Sequence, residues 1–203
     1  MFWERAGEAS RARLLNVLHC IDAHAITEVA SLHRGGGISC TIPALTRDGT
    51  GELDNWKLVE TQMGGQNCHL DLVFEDGVTW LARIRLQDPH LPPAETQAYI
   101  FRSEVATLHW LHAMNLPVPQ LYHYDQEGSG GVPYMLMEKL KGSVLDWNDA
   151  TPDQRKKIME QLADVFLKLE ALPLARAGSI IEAVSCASET CPTSSSRPSL
   201  AGE

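Results

Sequence analysis

The chain has 203 residues, 44% of them hydrophobic, enough to pack the core of one large domain or of one modest domain with extensions. The 17 Lys and Arg against 26 Asp and Glu leave a net charge of −9, which argues against a nucleic-acid or anionic-membrane surface; any bound anion needs a local site. The 5 cysteines are odd in number and include no Cys-x-x-Cys pair, so they point to neither a disulfide framework nor a zinc cluster but to reduced thiols.

The first residues, Met1 to Glu8, lack a basic region followed by an apolar run, and no stretch approaches the ~18 apolar residues of a membrane span. The expectation is a soluble, cytoplasmic protein without membrane or nucleic-acid partners. Residues 1–54 read as N-terminal helices and a loop. Leu14, Leu18 and Ile21 recur at helical spacing between about Arg5 and Cys20, and a second helix runs from about Ala25 to Arg34 before Gly35-Gly36-Gly37. A short strand candidate, Ile38 to Ile42, precedes a loop punctuated by Pro43, Asp48, Gly49 and Gly51.

Trp56 to Met63 is strand-like and leads into Gly64-Gly65. Beyond it Leu70, Leu72 and Phe74 alternate, Asp76-Gly77 turns the chain, and a further alternating run carries Arg83 and Arg85. The expected unit is three antiparallel strands with a glycine turn at one end. Glycines let a backbone approach a phosphate without a Cβ in the way, and free N–H groups there can face an anion. An ordinary hairpin satisfies the same residues.

After Pro92-Pro93 a helix is expected from about Ala94 to Met114. Glu104, Leu108 and Leu111 fall at i, i+4 and i+7, so a carboxylate shares the apolar face. Burial there calls for a cation on the sheet the helix covers. Arg83 and Arg85 have the same parity and both qualify; a solvated Glu104 at the edge of the face is the alternative. Two more strands, Gln120 to Tyr124 and Pro133 to Glu138, flank a loop from Asp125 to Gly131. A crossover to Gly142 precedes a helix capped by Thr151, with Pro152 at its first position and Gln154 completing a capping box. That helix carries an apolar stripe of Ile158, Leu162, Val165, Phe166 and Leu169, and Pro173 closes it. Residues 183–203 lack periodicity and are expected to be a disordered tail. His109 and His112 lie three apart on a helix but have no evident third metal ligand.

Gly64-Gly65-Gln66-Asn67 with Val73, the strand Thr79-Trp-Leu-Ala-Arg-Ile84, Glu104 to Leu111, Leu116-Pro-Val-Pro119 and Pro133-Tyr-Met-Leu-Met-Glu-Lys-Leu-Lys-Gly142 follow one another in the order of a protein-kinase-like N-terminal lobe. More narrowly, roughly residues 55 to 180 resemble the aminoglycoside phosphotransferase and choline kinase-like family, fungal-type members especially. The resemblance implies an α+β fold: a five-stranded antiparallel sheet with an inserted helix over 55–142, then the crossover and first helix of a helical C-lobe over 143–182. It implies ATP and magnesium as cofactors and a small-molecule hydroxyl as phosphoryl acceptor in full-length relatives. Gly64, Gly65 and Asn67 would lie over the triphosphate and Val73 and Leu81 against the adenine. Arg83, favoured over Arg85 by its place in Leu-Ala-Arg-Ile, would hold the α and β phosphates with Glu104 as helix partner. Arginine there departs from the commoner lysine, keeping the charge and changing its geometry. Backbone groups of Glu138 and Leu140 would bond the adenine edge.

Such a kinase also uses a His-Gly-Asp loop with a downstream Asn and a further Asp, to position a base and hold magnesium. These are absent here: the last histidine is His123, the aspartates after Thr151 are Asp153 and Asp164, and no Asn follows Asn148. The expectation is a chain truncated after the N-terminal lobe and inactive alone. The alternative is a non-catalytic binding or regulatory fragment acting through a protein partner on the exposed helix 152–171.

Overall fold

A computed structural model describes residues 14–51, 53, 56–62, 64, 66–86, 91–143, 145–172, 177–181 and 200–201. The chain divides into two compact units, the first Met1–Phe101 with Leu121–Lys139 and the second Arg102–Gln120 with Leu140–Glu203.

The first unit is built on a five-stranded sheet in which every neighbouring pair is antiparallel. Its strands are β1 (Cys40–Thr41), β2 (Asn67–Phe74), β3 (Thr79–Arg85), β4 (Leu121–Asp125) and β5 (Tyr134–Glu138), in the order β1-β2-β3-β5-β4. Side chains alternate across a strand. On β2 the even-numbered Cys68, Leu70, Leu72 and Phe74 are buried, and on β3 Trp80, Ala82 and Ile84, which with Tyr134 and Leu136 form one side of the core. Its other side comes from Leu14, Val17 and Leu18 of the helical residues 14–20, from Ile26 and Ala30 of α1 (Ala23–Arg34), and from Val59. At about 25 cal/mol per Å² of apolar area, burial of these side chains is the main favourable term for the unit.

Local signals set the ends of the elements. Asp22 caps α1 by accepting from the Ala25 N–H at 3.0 Å, and Gly35, at φ +75°, ends it. Between β2 and β3 the Gly77 N–H donates to the Phe74 carbonyl at 2.9 Å, with Gly77 at φ +82°. Asp76 of that turn binds Arg34 at 2.6 Å, tying the end of α1 to the hairpin.

One expected strand is a helix. Trp56–Thr61 forms α2, and the first strand of the sheet is Cys40–Thr41, within the run read as Ile38 to Ile42. Lys57, Leu58 and Glu60 are good helix formers, and in α2 Val59 reaches the core while Thr61 Oγ1 closes on the Leu58 carbonyl at 2.8 Å. What remains of the strand reading is a stub, where the Gln62 carbonyl accepts from the His69 N–H and the Gly64 N–H donates to the Asn67 carbonyl, both at 2.8 Å.

The boundary between units falls within α3 (Ala94–Ala113), the helix expected from Ala94 to Met114. It ends at Asn115, in the left-handed region at φ 55°, where the Leu116 N–H donates to the Leu111 carbonyl. In the second unit α4 (Pro152–Glu170) starts with the expected capping box between Thr151 and Gln154, and none of its residues is buried. Ser179–Ile180 (β6) pairs antiparallel with Leu200–Ala201 (β7); apart from that pair, the expected tail lies outside the described residues.

Candidate functional site

The face of the sheet opposite the core carries the polar and charged groups. Its residues on β2 are Asn67, His69, Asp71 and Val73, and on β3 Thr79, Leu81, Arg83 and Arg85. Directly paired residues share a face, so the registers define rows across the sheet. One row is His69, Arg83, Met135 and Tyr124; the next is Asp71, Leu81, Met137 and Leu121. Asn67 pairs with Arg85 and Val73 with Thr79.

This face has two characters. Toward one end Val73 is 37% exposed and Leu81 half-buried, with Met137 beside Leu81 and buried, which makes an apolar patch. Toward the other end Arg83 and Arg85 follow on the same strand, beside His69 and Asn67. Burial first, then the Arg83 charge, holds the His69 imidazole below its ordinary pKa. At neutral pH His69 is therefore an uncharged hydrogen-bonding group beside a permanent cation. Lys139, which follows β5, reaches across to Asp71 on β2, Nζ to Oδ2 at 2.6 Å, and ties the two strands that flank β3.

At the charged end, the Gly64 N–H donates to the Asn67 carbonyl. A Cβ on Gly64 would lie 3.2 Å from the Asn67 carbonyl oxygen, so the chain closes there with little room to spare. The Gln66 carbonyl accepts from the Leu86 N–H at 2.9 Å, which holds Gln66 against the end of β3.

The residues expected from the sequence divide as follows. Asn67, Val73, Leu81 and Arg83 lie on one face of one sheet. Glu138, at the end of β5, is half-buried and pairs with Trp80, a core-face residue on which the Tyr122 ring stacks at 3.9 Å. Glu104 and Leu140 belong to the second unit; Glu104 is half-buried and Leu140 exposed. Gly65 lies outside the described residues. Sequence reasoning missed His69, Asp71, Met135 and Met137. The parity of β2 carries a signal for the first two, since Asn67, His69, Asp71 and Val73 are every second residue of a strand whose alternate positions are apolar. Among the described residues no group of three or more His, Cys, Asp or Glu side chains is placed to hold a metal ion. No described helix is long and apolar enough to cross a membrane.

The sequence pattern of the phosphotransferase enzyme family matches residues 45–182. No curated protein sequence matches the chain significantly. A crystal structure from Ralstonia eutropha JMP134, of a protein provisionally named an aminoglycoside phosphotransferase, aligns with 24% identity over 51% of this chain and a TM-score of 0.38. The aligned part spans 29% of that protein's length.

Proposed function

This chain belongs to the phosphotransferase enzyme family, and on that premise we propose that its first unit is the nucleotide-binding lobe of an ATP-dependent small-molecule kinase. The observation that carries the reading is the odd-numbered face of β2 and β3, where an apolar patch (Val73, Leu81 and Met137) grades into a cationic end (Arg83, with Arg85 beyond it). Such a surface suits a purine at one end and phosphates at the other: apolar side chains accept a flat ring, and a guanidinium offers paired donors to phosphate oxygens. Gly64 and Asn67 lie at the proposed phosphate end. Backbone groups of Glu138 are proposed to bond the adenine edge; Glu104 and Leu140 belong to the second unit.

The described residues fit a nucleotide better than its metal. Magnesium calls for hard oxygen ligands. Asp71, the one carboxylate on this face of β2 and β3, is bonded to Lys139, and no metal-ligating cluster occurs among the described residues. The 203 residues also contain no His-Gly-Asp block. This chain by itself is therefore proposed to bind nucleotide without transferring phosphate. The phosphoryl acceptor is proposed to be a hydroxyl of a small molecule.

Photolabelling with an azido-adenine nucleotide, followed by peptide mapping, tests the reading. Label on the peptides containing Val73, Leu81 or Met137, suppressed by excess ATP, is expected. Label elsewhere, or label indifferent to ATP, would refute it. A parallel assay is expected to find no ATP hydrolysis above background.

A further inference from the structure

The helix α4 carries a self-complementary pattern. Met159, Leu162, Phe166 and Leu169 form a stripe at i, i+3, i+7 and i+10, and they are 54%, 46%, 62% and 38% exposed. Ala163, also exposed, flanks that stripe midway along its length. Along the same edge, seven residues before and seven after Ala163, stand Lys156 and Glu170, both exposed. Seven residues are close to two helical turns, so the three positions share one side of the helix.

We propose that α4 packs antiparallel against α4 of a second copy of this chain, about a two-fold axis that passes beside Ala163. In a two-fold contact each residue pair occurs twice. Placing Ala163 against Ala163 brings Lys156 opposite the partner's Glu170, and Glu170 opposite the partner's Lys156. The same register layers Met159 on the partner's Leu169 and Leu162 on the partner's Phe166, as core positions of an antiparallel helix pair require. The small side chain at the axis lets the helices approach. A parallel pairing would put the Lys156–Glu170 edges of the two helices on opposite sides of the interface and would lose both attractions. A single helix pair is smaller than the ~1,600 Å² of a standard interface, so a reversible dimer in the micromolar range is expected.

Sedimentation equilibrium of the intact chain from 1 to about 100 µM tests this, with far-ultraviolet circular dichroism as the control for folding. The wild type is expected to show a monomer–dimer equilibrium. Lys156→Glu alone and Glu170→Lys alone each place like charges opposite one another twice and are expected to weaken the dimer at least about tenfold. An equimolar mixture of the two variants restores both attractions and is expected to dimerise as the wild type does. A monomeric wild type across the range would overturn the proposal, as would single variants that dimerise normally or a folded mixture that stays monomeric. The first of these results would leave the stripe to a different partner or to further chain. Nucleotide binding by the first unit does not enter any of these outcomes.

Discussion

Alanine at Gly131 is expected to destabilise the first unit by about 2–4 kcal/mol, and the figure follows from what surrounds it. Gly131 sits at φ +86°, and an L residue held in the left-handed region costs roughly 1–2 kcal/mol. A Cβ there would also fall on the carbonyl oxygen of Cys20, at the end of the helical residues 14–20. The loop would have to retreat. Retreat would stretch the hydrogen bond from the Asp22 N–H to the Gly130 carbonyl, 2.8 Å long, which contributes about 1 kcal/mol net. It would also loosen the packing where Gly130 approaches Ile26 and Tyr134 with no space for a side chain. Gly77→Ala is the matched control: Gly77 has nearly the same φ, +82°, but nothing lies within 4 Å of an added Cβ, so only the backbone cost of roughly 1–2 kcal/mol applies. Urea unfolding followed by circular dichroism resolves the comparison. With a slope near ~2 kcal/mol per M, the excess of about 1 kcal/mol or more at Gly131 shifts the midpoint by about 0.5 M beyond the control. Equal shifts for the two variants would refute the claim that this loop is clamped on the N-terminal helices.

Tyr134 offers a change of opposite sign. Its hydroxyl is buried without a hydrogen-bond partner among the described residues, and burial pushes its pKa up to about 12, so Tyr134→Phe is expected to match or exceed wild-type stability by up to about 1 kcal/mol in the same assay. The Asp71–Lys139 bridge is 2.6 Å long but its side chains are 22% and 44% exposed, so Asp71→Asn is expected to cost no more than about 1 kcal/mol, and less in high salt. The pKa of His69 is lowered in the folded state, so the unfolded chain binds more protons below about pH 6.5. Stability therefore falls as pH drops from 7 toward 5. His69→Gln is expected to flatten that fall in part, since His109 and His123 are lowered as well and remain. An unchanged pH dependence would count against a buried neutral His69.

Much of the first unit was legible because alternation is a strong signal where one face of a sheet is buried. Leu70, Leu72 and Phe74, with the Asp76-Gly77 turn, fix the β2–β3 hairpin, and the capping box at Thr151 marks the start of α4. Trp56 to Met63 was not legible as a helix. Its window is short, its apolar residues Leu58 and Val59 are adjacent, and the choice was made by where Val59 could be buried. Nor was the role of Asp125 to Gly131. The sequence marks a loop there, but Gly130 and Gly131 are required by contact with Ile26 and Cys20, over a hundred positions away, and Asp125 shapes it by accepting from the Glu127, Gly128 and Ser129 N–H groups. The candidate site was half legible. Parity puts Val73, Leu81 and Arg83 on one face, while the row partners Met135 and Met137 depend on β5 pairing with β3, a long-range register that no local pattern contains.

Nucleotide is proposed to be held by the odd-numbered face of the sheet. Calorimetric titration of ATP into the wild type, Arg83→Ala and Arg34→Ala tests it most directly. Arg34 is a second cation of the same unit, bound to Asp76 and lying over the core-face Phe74. Saturable binding that weakens at least about tenfold in Arg83→Ala and is unchanged in Arg34→Ala is the expected result. No binding by the wild type, or equal loss in both variants, would contradict it.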